Sequence, residues 1–310
     1  MKNILIVGAG GGIGKKLVDY FYKHTAYNLI LNYSSEKDIP DIINSNRVSI
    51  VVGKIGTDDI FKELFDNVGI LIHLGSSVNP EEYSGKWQNA YKYGADSTLS
   101  LFDYIRDNLD SLHIIFPSSG GSVYTQPQEV PYIETDITMG WNPYGIQKLM
   151  FENYLKLLVR SKCNISCNIL RISNPYGLSV KPNRKQGFID ILIEKSLMNE
   201  TVNIWSGLDV IRDYIYIDDL TDAFVKALEY KNGYEIFNIG SNVGVSLGEV
   251  IALLSRNLKI NVNYNLVESG SNYYPGYNVL NISKAKKFLG WSPKITIEQG
   301  IKLLGIRDYD

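Results

Sequence analysis

The chain has 310 residues, of which 45% are hydrophobic and 21% are charged, so it can bury a large core and is not expected to be disordered. Its 31 Lys and Arg residues nearly balance its 33 Asp and Glu residues, giving a net charge of −2 and no basic excess of the kind that binds nucleic acid. No apolar run approaches the roughly 20 residues that span a bilayer, and the first residues do not read as a signal peptide, so we expect a cytoplasmic protein with no membrane partner.

Short apolar runs alternate with segments of helical periodicity through the first half of the chain. The runs predicted to be buried strands are 3–7, 29–33, 48–52, 69–74, 112–116 and 168–172. Between them, apolar residues recur at helical spacing over 13–24 and again over 146–158. Alternating strand and helix units of this length predict an α/β fold with a doubly wound parallel sheet.

The alternation of strands and helices ends at about residue 175, where a polar, turn-rich segment begins. A helix is predicted over 188–199, followed by short strands near 202–205, 214–217 and 235–239. We therefore predict a first domain over 1–175, to which a strand from about 209–240 contributes, and a smaller, partly interleaved C-terminal lobe over 176–310.

Two cysteines lie four residues apart, at Cys163 and Cys167, with no histidine nearby. We interpret them as buried, reduced thiols and predict no metal site.

The first strand runs directly into the glycine-rich segment GAGGGIG, residues 8–14. Gly8, Gly11 and Gly14 have the spacing GxxGxxG, with Gly12 and Ile13 between the last two. Glycines at such a turn let the backbone approach a pyrophosphate, whose charge is met by the amides at the helix N-terminus. The position between a first strand and a first helix favours a dinucleotide site over an ordinary tight turn.

A dinucleotide fold usually carries an acid at the end of the second strand, but this chain has Asn32 there. Because Ser34 and Lys37 follow, the turn also suits a ribose 2′-phosphate, so NAD is the main expectation and NADP stays open. Leu74, Gly75 and Ser76, after the fourth strand, are further predicted cofactor contacts.

The pattern Tyr-x-x-x-Lys occurs at Tyr33/Lys37 and at Tyr144/Lys148. The first pair spans a turn, whereas the second follows Pro143 and opens a predicted helix, which places its two side chains one turn apart on one face. A free phenol has a pKa of about 10, and a neighbouring ammonium favours its phenolate. Tyr144 is the candidate base and Lys148 its activator; the alternative is a surface aromatic beside a solvated lysine.

Seven segments follow one another along nearly the whole chain: GAGGGIG (8–14), SSGGSVY (118–124), NPYGIQK (142–148), LRISNPYG (170–177), RDYIYIDDLTDAF (212–224), FNIGS (237–241) and ISKAKKFLGW (282–291). Their order and spacing resemble the extended short-chain dehydrogenase/reductase family. Within it the chain is most similar to the NAD-dependent nucleotide-sugar epimerases and dehydratases, of the UDP-glucose 4-epimerase type.

The resemblance implies a Rossmann-type dinucleotide-binding domain, a substrate-binding lobe and a nucleoside diphosphate sugar as substrate. It implies that Tyr144 takes the proton of the sugar 4-hydroxyl while C4 gives hydride to NAD, and that Lys148 binds the nicotinamide ribose. Hydride then returns to the other face of a 4-keto intermediate, which inverts C4. The family also implies a homodimer formed through helices near 90–106 and 144–159 and a role in polysaccharide biosynthesis.

The segment SSGGSVY both supports and departs from the family pattern. Many relatives keep a catalytic Ser or Thr where this chain has Gly120, so Ser119 or Ser122 takes the role of holding the reacting hydroxyl. Sugar 4,6-dehydratases carry acids just before the Val-Tyr pair, but Gly121 and Ser122 stand here, which disfavours dehydration.

Further along, the resemblance assigns Asn174 and Arg212 to the substrate's phosphate oxygens and Pro175 to the nicotinamide. A capping asparagine and an ion-paired arginine are the competing interpretations. The interval 262–283 lacks the second arginine that relatives usually carry. Two alternatives to an epimerase remain: an NADPH-dependent reductase of a 4-keto sugar, and a sensor that binds the dinucleotide without turnover.

Overall fold

The computed structural model describes residues 3–40, 46–75, 95–124, 131–178, 187–205, 207–267 and 276–306. Its strands are β1 (Asn3–Val7), β2 (Leu29–Tyr33), β3 (Val48–Val52), β4 (Val68–His73), β5 (Leu112–Ser119), β6 (Ile165–Ile172), β7 (Asn174–Tyr176), β8 (Val202–Ile204), β9 (Ile211–Tyr216), β10 (Tyr234–Ile239), β11 (Gly244–Ser246), β12 (Tyr264–Leu266) and β13 (Tyr277–Asn278). Its α-helices are α1 (Gly12–His24), α2 (Asp58–Leu64), α3 (Asp96–Asn108), α4 (Gly120–Val123), α5 (Pro143–Ser161), α6 (Phe188–Leu197), α7 (Ile217–Ala227), α8 (Leu247–Leu258), α9 (Ser283–Leu289) and α10 (Ile297–Ile306).

The central sheet has seven strands in the order β3-β2-β1-β4-β5-β6-β10 and is parallel. Helices cover both faces of a parallel sheet of this kind, so its strands consist of continuous apolar runs. In β1, for example, Ile4 to Val7 are all buried. This confirms the predicted Rossmann-type, doubly wound α/β fold. The strand order reverses between β1 and β4, and open sheets of this kind bind ligands beyond the strand ends at that point.

Strand β5 is longer than predicted. Its apolar run ends at Phe116, but the strand continues to Ser119. Burial alternates over these last residues: Ser118 is buried, whereas Pro117 and Ser119 are only partly buried. A polar residue can occupy the buried face there since Ser118 has a hydrogen-bond partner, described below. Strand β6 likewise begins at Ile165, earlier than the predicted 168.

The chain divides into two compact units. The first comprises Met1–Ser118, Asn142–Leu170 and Phe224–Ile236, and it contains most of the seven-stranded sheet. Its core includes the mutually edge-on rings of Phe102, Phe116 and Phe151, whose centroids lie 5.8–6.2 Å apart.

The second unit comprises Ser119–Trp141, Arg171–Ala223 and Phe237–Asp310. Strand β9 is its organising element, because β7 and β13 pair with it in parallel and β11 pairs with it in antiparallel orientation. A separate two-stranded ribbon joins β8 to β12.

Among the described helices, none combines the length and apolar character needed to cross a bilayer. Cys167 is buried, as predicted, but Cys163 is exposed, so the expectation of two buried thiols is wrong for Cys163. It lies in the turn before β6, outside the alternating pattern that buries Cys167.

Candidate active site

The glycine turn after β1 needs residues without a side chain. Gly8 has φ +83, in the left-handed region, and a Cβ there would lie 2.9 Å from the backbone nitrogen of Gly75. A Cβ on Gly14 would collide with the carbonyl oxygens of Gly8 and Ala9. The Gly11 amide closes the turn by donating to the Gly8 carbonyl at 3.1 Å. Alanine therefore fits at neither end of the GxxGxxG segment.

Helix α1 begins directly at this turn. Its first residue is Gly12, followed by Ile13; the residue before it, Gly11, makes no side-chain cap, and no acid lies in the first turn. The first turn of the helix itself therefore places no carboxylate beside the N-terminal amides and the positive end of the dipole, which fits a pyrophosphate.

The neighbouring strand β4 ends beside the same turn. The Leu74 amide donates to the Val7 carbonyl at 2.9 Å, and Gly75 contacts Gly8. Predicted cofactor contacts on β1 and β4 are therefore brought together at the switch point of the sheet. The remaining one on this segment, Ser76, lies outside the described residues.

Asn32 at the end of β2 is buried and ties two strands together. Its side-chain Nδ2 donates to the Gly53 carbonyl at 3.0 Å and to the Val51 carbonyl at 3.3 Å. Ser34 follows on the surface. The amide nitrogen of Asn32 thus serves the β2–β3 edge, while cofactor contacts by Asn32 and Ser34 stay predictions.

An acid that the sequence analysis missed lies against the glycine turn. Ser35 Oγ accepts from the Lys37 amide and caps a 3₁₀ turn over Glu36–Asp38. This turn folds back, so that a Cβ on Gly10 would lie 3.0 Å from the Cβ of Asp38. The chain therefore carries a carboxyl group beside the glycine turn, six residues after the position at the end of the second strand where a dinucleotide fold usually has one.

The predicted catalytic pair, Tyr144 and Lys148, lies at the start of α5. Asn142 caps the helix by accepting from the Gly145 amide at 2.7 Å, and Pro143 occupies the first turn. Tyr144 and Lys148 follow one turn apart, with the Lys148 Nζ 5.5 Å from the centre of the Tyr144 ring. The local sequence thus fixes both where the helix begins and which face carries the pair.

Lys148 is a buried ammonium, only 6% exposed. Its Nζ donates to the Pro117 carbonyl of β5 at 2.9 Å and lies 5.0 Å from the centre of the Phe116 ring. Burial lowers the pKa of Lys148 from 10.5 to about 8, against an opposing effect of Glu152. The side chain therefore stays mainly charged at neutral pH while losing its proton far more readily than a surface lysine.

Glu152 is a second residue that the sequence analysis missed. It lies one turn beyond Lys148 on α5 and is 3% exposed. Ser118 Oγ, the one hydroxyl of the SSGGS segment that received no predicted role, donates to Glu152 Oε1 at 2.5 Å. The four-residue spacing of Tyr144, Lys148 and Glu152 was the available sequence signal.

His73, at the end of β4, is neutral and lies close enough to Lys148 to feel its charge. Burial and the charge of Lys148 together lower its pKa to about 3. Its Nε2 lies 3.2 Å from Thr98 Oγ1. A neutral imidazole can pack near the ammonium without repelling it.

In the second unit, two predicted substrate residues, Ser119 and Asn174, lie on either side of Gly121. A Cβ on Gly121 would lie 4.0 Å from Ser119 Oγ and 3.8 Å from Asn174 Oδ1, which leaves this backbone open between the two side chains. Gly120 differs, because a Cβ there would meet the side chain of Leu280 at 2.5 Å. Ser122 is buried in the single turn α4.

Arg212 and Asn174 are held by the strands around β9. Asn174 Nδ2 donates to the Asp213 carbonyl at 2.8 Å, and Pro175 follows it in β7. Asp213 is fully buried and accepts from the Ser241 amide and hydroxyl, both at 2.7 Å. These bonds fix the backbone that carries Arg212.

Comparison with known proteins gives consistent matches over the whole chain. Residues 4–240 match the model of the NAD dependent epimerase/dehydratase family. A dTDP-4-dehydro-6-deoxyglucose reductase of Escherichia coli is 30% identical, with 97% of this chain and 96% of that protein covered. A putative UDP-glucose 4-epimerase of Methanocaldococcus jannaschii is also 30% identical, with 96% of each covered.

Solved structures agree with these relatives. The UDP-glucose 4-epimerase of Thermotoga maritima, solved with UDP-glucose, superposes with a TM-score of 0.86 at 26% identity, covering 98% of this chain and 97% of that one. The UDP-glucuronic acid 4-epimerase of Bacillus cereus, solved with UDP-glucuronic acid and NAD, has a TM-score of 0.85 at 25% identity, covering 97% of each chain.

Proposed function

This chain belongs to the NAD dependent epimerase/dehydratase family, and we propose that it inverts C4 of a nucleotide-bound hexose through a 4-keto intermediate. The observation that carries the proposal is the Tyr144–Lys148 pair, with a buried ammonium of lowered pKa one helical turn from a phenol. The same unit holds a glycine turn that fits a dinucleotide.

NAD is the cofactor of the proposed reaction, and when bound it accepts hydride from the sugar and gives it back. The chain's contribution is to hold the pyrophosphate on the amides of Gly11, Gly12 and Ile13 at the start of α1. Asp38 favours NAD over NADP, because a carboxylate suits ribose hydroxyls and repels a 2′-phosphate.

Tyr144 is the proposed base and acid. Its phenolate removes the proton of the 4-hydroxyl as hydride leaves C4, and the C4–O bond becomes a ketone. After the ketone has turned its other face, hydride returns to C4 and the Tyr144 phenol returns the proton to the oxygen. The cycle consumes no net oxidant or proton, and Lys148 stabilises the phenolate state through its charge.

We propose the substrate contacts that the resemblance implies. Ser119 or Ser122 holds the reacting hydroxyl, and the open backbone of Gly121 supports Ser119 in this role. Asn174 and Arg212 hold the diphosphate, for which a guanidinium provides bidentate donors, and Pro175 lies under the nicotinamide. Gly120 is the remaining proposed substrate contact, through its backbone. Because acids are lacking at Gly121 and Ser122, dehydration is not proposed.

A reductase is the second candidate, and one observation favours it: the E. coli dTDP-4-dehydro-6-deoxyglucose reductase is as similar to this chain as the M. jannaschii epimerase. In that reaction Tyr144 would donate its proton to a 4-keto oxygen while a reduced nicotinamide gives hydride. No step would return the hydride, so the reduced cofactor would be consumed stoichiometrically.

The two reactions are separated by cofactor demand. Purified protein is incubated with UDP-, dTDP- and GDP-hexoses without added cofactor, and the anomeric protons are followed by NMR. Appearance of the C4 epimer, lost in the Tyr144→Phe variant by about 10²-fold or more, supports the epimerase. Stoichiometric oxidation of NADH or NADPH by a 4-keto sugar, with no epimer from any hexose, would assign the reductase instead.

A homodimer is proposed through α3 and α5, since α5 exposes a row of large apolar side chains. Ile146, Tyr154 and Leu157 are 47–62% exposed and recur at helical spacing. Sedimentation of the wild type and of Leu157→Glu tests this, with a dimer-to-monomer change expected. A cytoplasmic location and a role in polysaccharide biosynthesis are consistent with a reaction on nucleotide sugars.

A further inference from the structure

We propose that Glu152, held by Ser118, is a positioning residue that keeps the Lys148 side chain charged and directed at Tyr144. The inference rests on the proposed function, because it assigns Glu152 to the same proton-transfer step. Tyr144, Lys148 and Glu152 follow at intervals of four on α5, which places them in one row along the helix.

Removing the carboxyl of Glu152 from water costs free energy that other interactions must offset. At 3% exposure it is removed from water, and a buried carboxylate persists only when charge and hydrogen bonds compensate for lost solvation. Ser118 supplies a hydrogen bond at 2.5 Å. Lys148, one turn away and 6% exposed, supplies the opposite charge.

Several contacts hold this residue in place. Tyr234 Oη donates to the Glu152 backbone carbonyl at 3.0 Å, which ties the helix to β10. Ser118 lies in β5, next to Pro117, whose carbonyl accepts from Lys148. Two adjacent residues of β5 thus bind the two helix side chains: Pro117 binds Lys148 and Ser118 binds Glu152. The position of the Lys148 ammonium therefore depends on both β5 and α5.

The surrounding titratable groups leave Glu152 as the compensating charge. His73 is neutral, since its pKa is about 3. Burial, followed by the charge of Glu152, raises the pKa of the Cys167 thiol, so this thiol stays protonated. Tyr144, whose ring centre lies 5.5 Å from the Lys148 Nζ, is a further titratable group beside the ammonium. Burial alone drives Lys148 toward the uncharged amine, and Glu152 opposes that change.

The central experiment removes the charge and keeps the shape. In Glu152→Gln, we expect the alkaline limb of the kcat profile to move to lower pH by about one unit or more, because the negative charge that raises the Lys148 pKa is lost. Glu152→Asp should restore part of the shift, and Ser118→Ala should move the limb in the same direction by less. Asp103→Asn, which removes an exposed carboxylate paired with Arg106, is the matched control and should leave the profile unchanged.

A second readout needs no turnover. The absorbance of tyrosinate at 295 nm is titrated for each protein, and the curve of the same protein carrying Tyr144→Phe is subtracted, which isolates the Tyr144 phenol. Glu152→Gln should move this ionisation to higher pH because a less charged Lys148 supports the phenolate less.

The outcomes are distinguishable. A wild type inactive on every sugar, with the expected 295 nm shift, contradicts the proposed reaction and supports the Glu152 coupling. Lower kcat in Glu152→Gln with an unmoved pH profile and an unmoved 295 nm titration overturns the inference and makes Glu152 a packing residue. Should Glu152→Gln fold poorly, Ser118→Ala and Glu152→Asp decide by the same two measurements.

Discussion

Replacing Lys148 by Met should change how the stability of the protein depends on pH. Burial lowers the Lys148 pKa from 10.5 to about 8, so between these values the unfolded chain binds a proton that the folded chain has released. Where the unfolded state holds more protons, the free energy of unfolding rises with pH. Integrating the two titrations from pH 7 to pH 10 gives a gain of about 2–3 kcal/mol from this residue.

The assay compares urea unfolding of two proteins at pH 7, 8, 9 and 10. Both carry Tyr144→Phe, so that the phenol does not contribute, and one also carries Lys148→Met. The difference in unfolding free energy should shift by about 2–3 kcal/mol in favour of the lysine protein as pH rises. The matched variant Lys156→Met, at an exposed position of α5, should show no such shift. A Lys148 difference that stays constant across the range would refute a depressed pKa and, with it, the argument for an easily perturbed ammonium.

Three further outcomes test other parts of the site. Gly14→Ala should abolish NAD binding in calorimetry, because its Cβ would collide with the Gly8 and Ala9 carbonyls, whereas Gly276→Ala, where a Cβ meets nothing within 4 Å, should bind normally; equal binding by both would contradict the glycine-turn assignment. Asp38→Asn should lower the ratio of NAD affinity to NADP affinity by about tenfold, which corresponds to about 1.4 kcal/mol. The control Glu36→Gln, at an exposed neighbouring position, should leave this ratio unchanged. An unchanged ratio in Asp38→Asn would show that Asp38 does not select the cofactor. Iodoacetamide should alkylate the exposed Cys163 and spare Cys167 in the folded protein, as mass spectrometry would show; modification of both would contradict the burial of Cys167.

The inner strands β1 and β2 of the first unit's sheet were predictable because they are buried on both faces. The edge strand β3 is partly exposed but still carries a mainly apolar run. Continuous apolar runs then coincide with strands, and the bounds of β1, β2 and β3 match the predicted ranges. The end of β5 was not predictable in this way. Its last three residues are a proline and two serines, and the buried Ser118 is satisfied by a hydrogen bond to Glu152 of a helix far along the chain, which local sequence does not reveal.

The placement of Tyr144 and Lys148 one turn apart on α5 was predictable from sequence because four-residue spacing on a helix is a local property; their catalytic role stays a prediction. The same spacing extends to Glu152, but an isolated glutamate in an amphipathic helix ordinarily lies on the solvated face. Its burial depends on Ser118, 34 residues earlier. Asp38 was missed for a related reason, since a folded-back 3₁₀ turn brings it to Gly10 and composition alone does not give that path.

The alternation of side chains along β5 limits how this enzyme can be altered by insertion or deletion. Ser118 bonds to Glu152, whereas its neighbour Ser119 ends the strand beside the open backbone of Gly121. Adding or removing one residue between Leu112 and Phe116 would rotate every later side chain to the opposite face and exchange the positions of the two hydroxyls. Laboratory libraries that vary length in this strand should therefore lose function at every odd step, however conservative the residues they introduce.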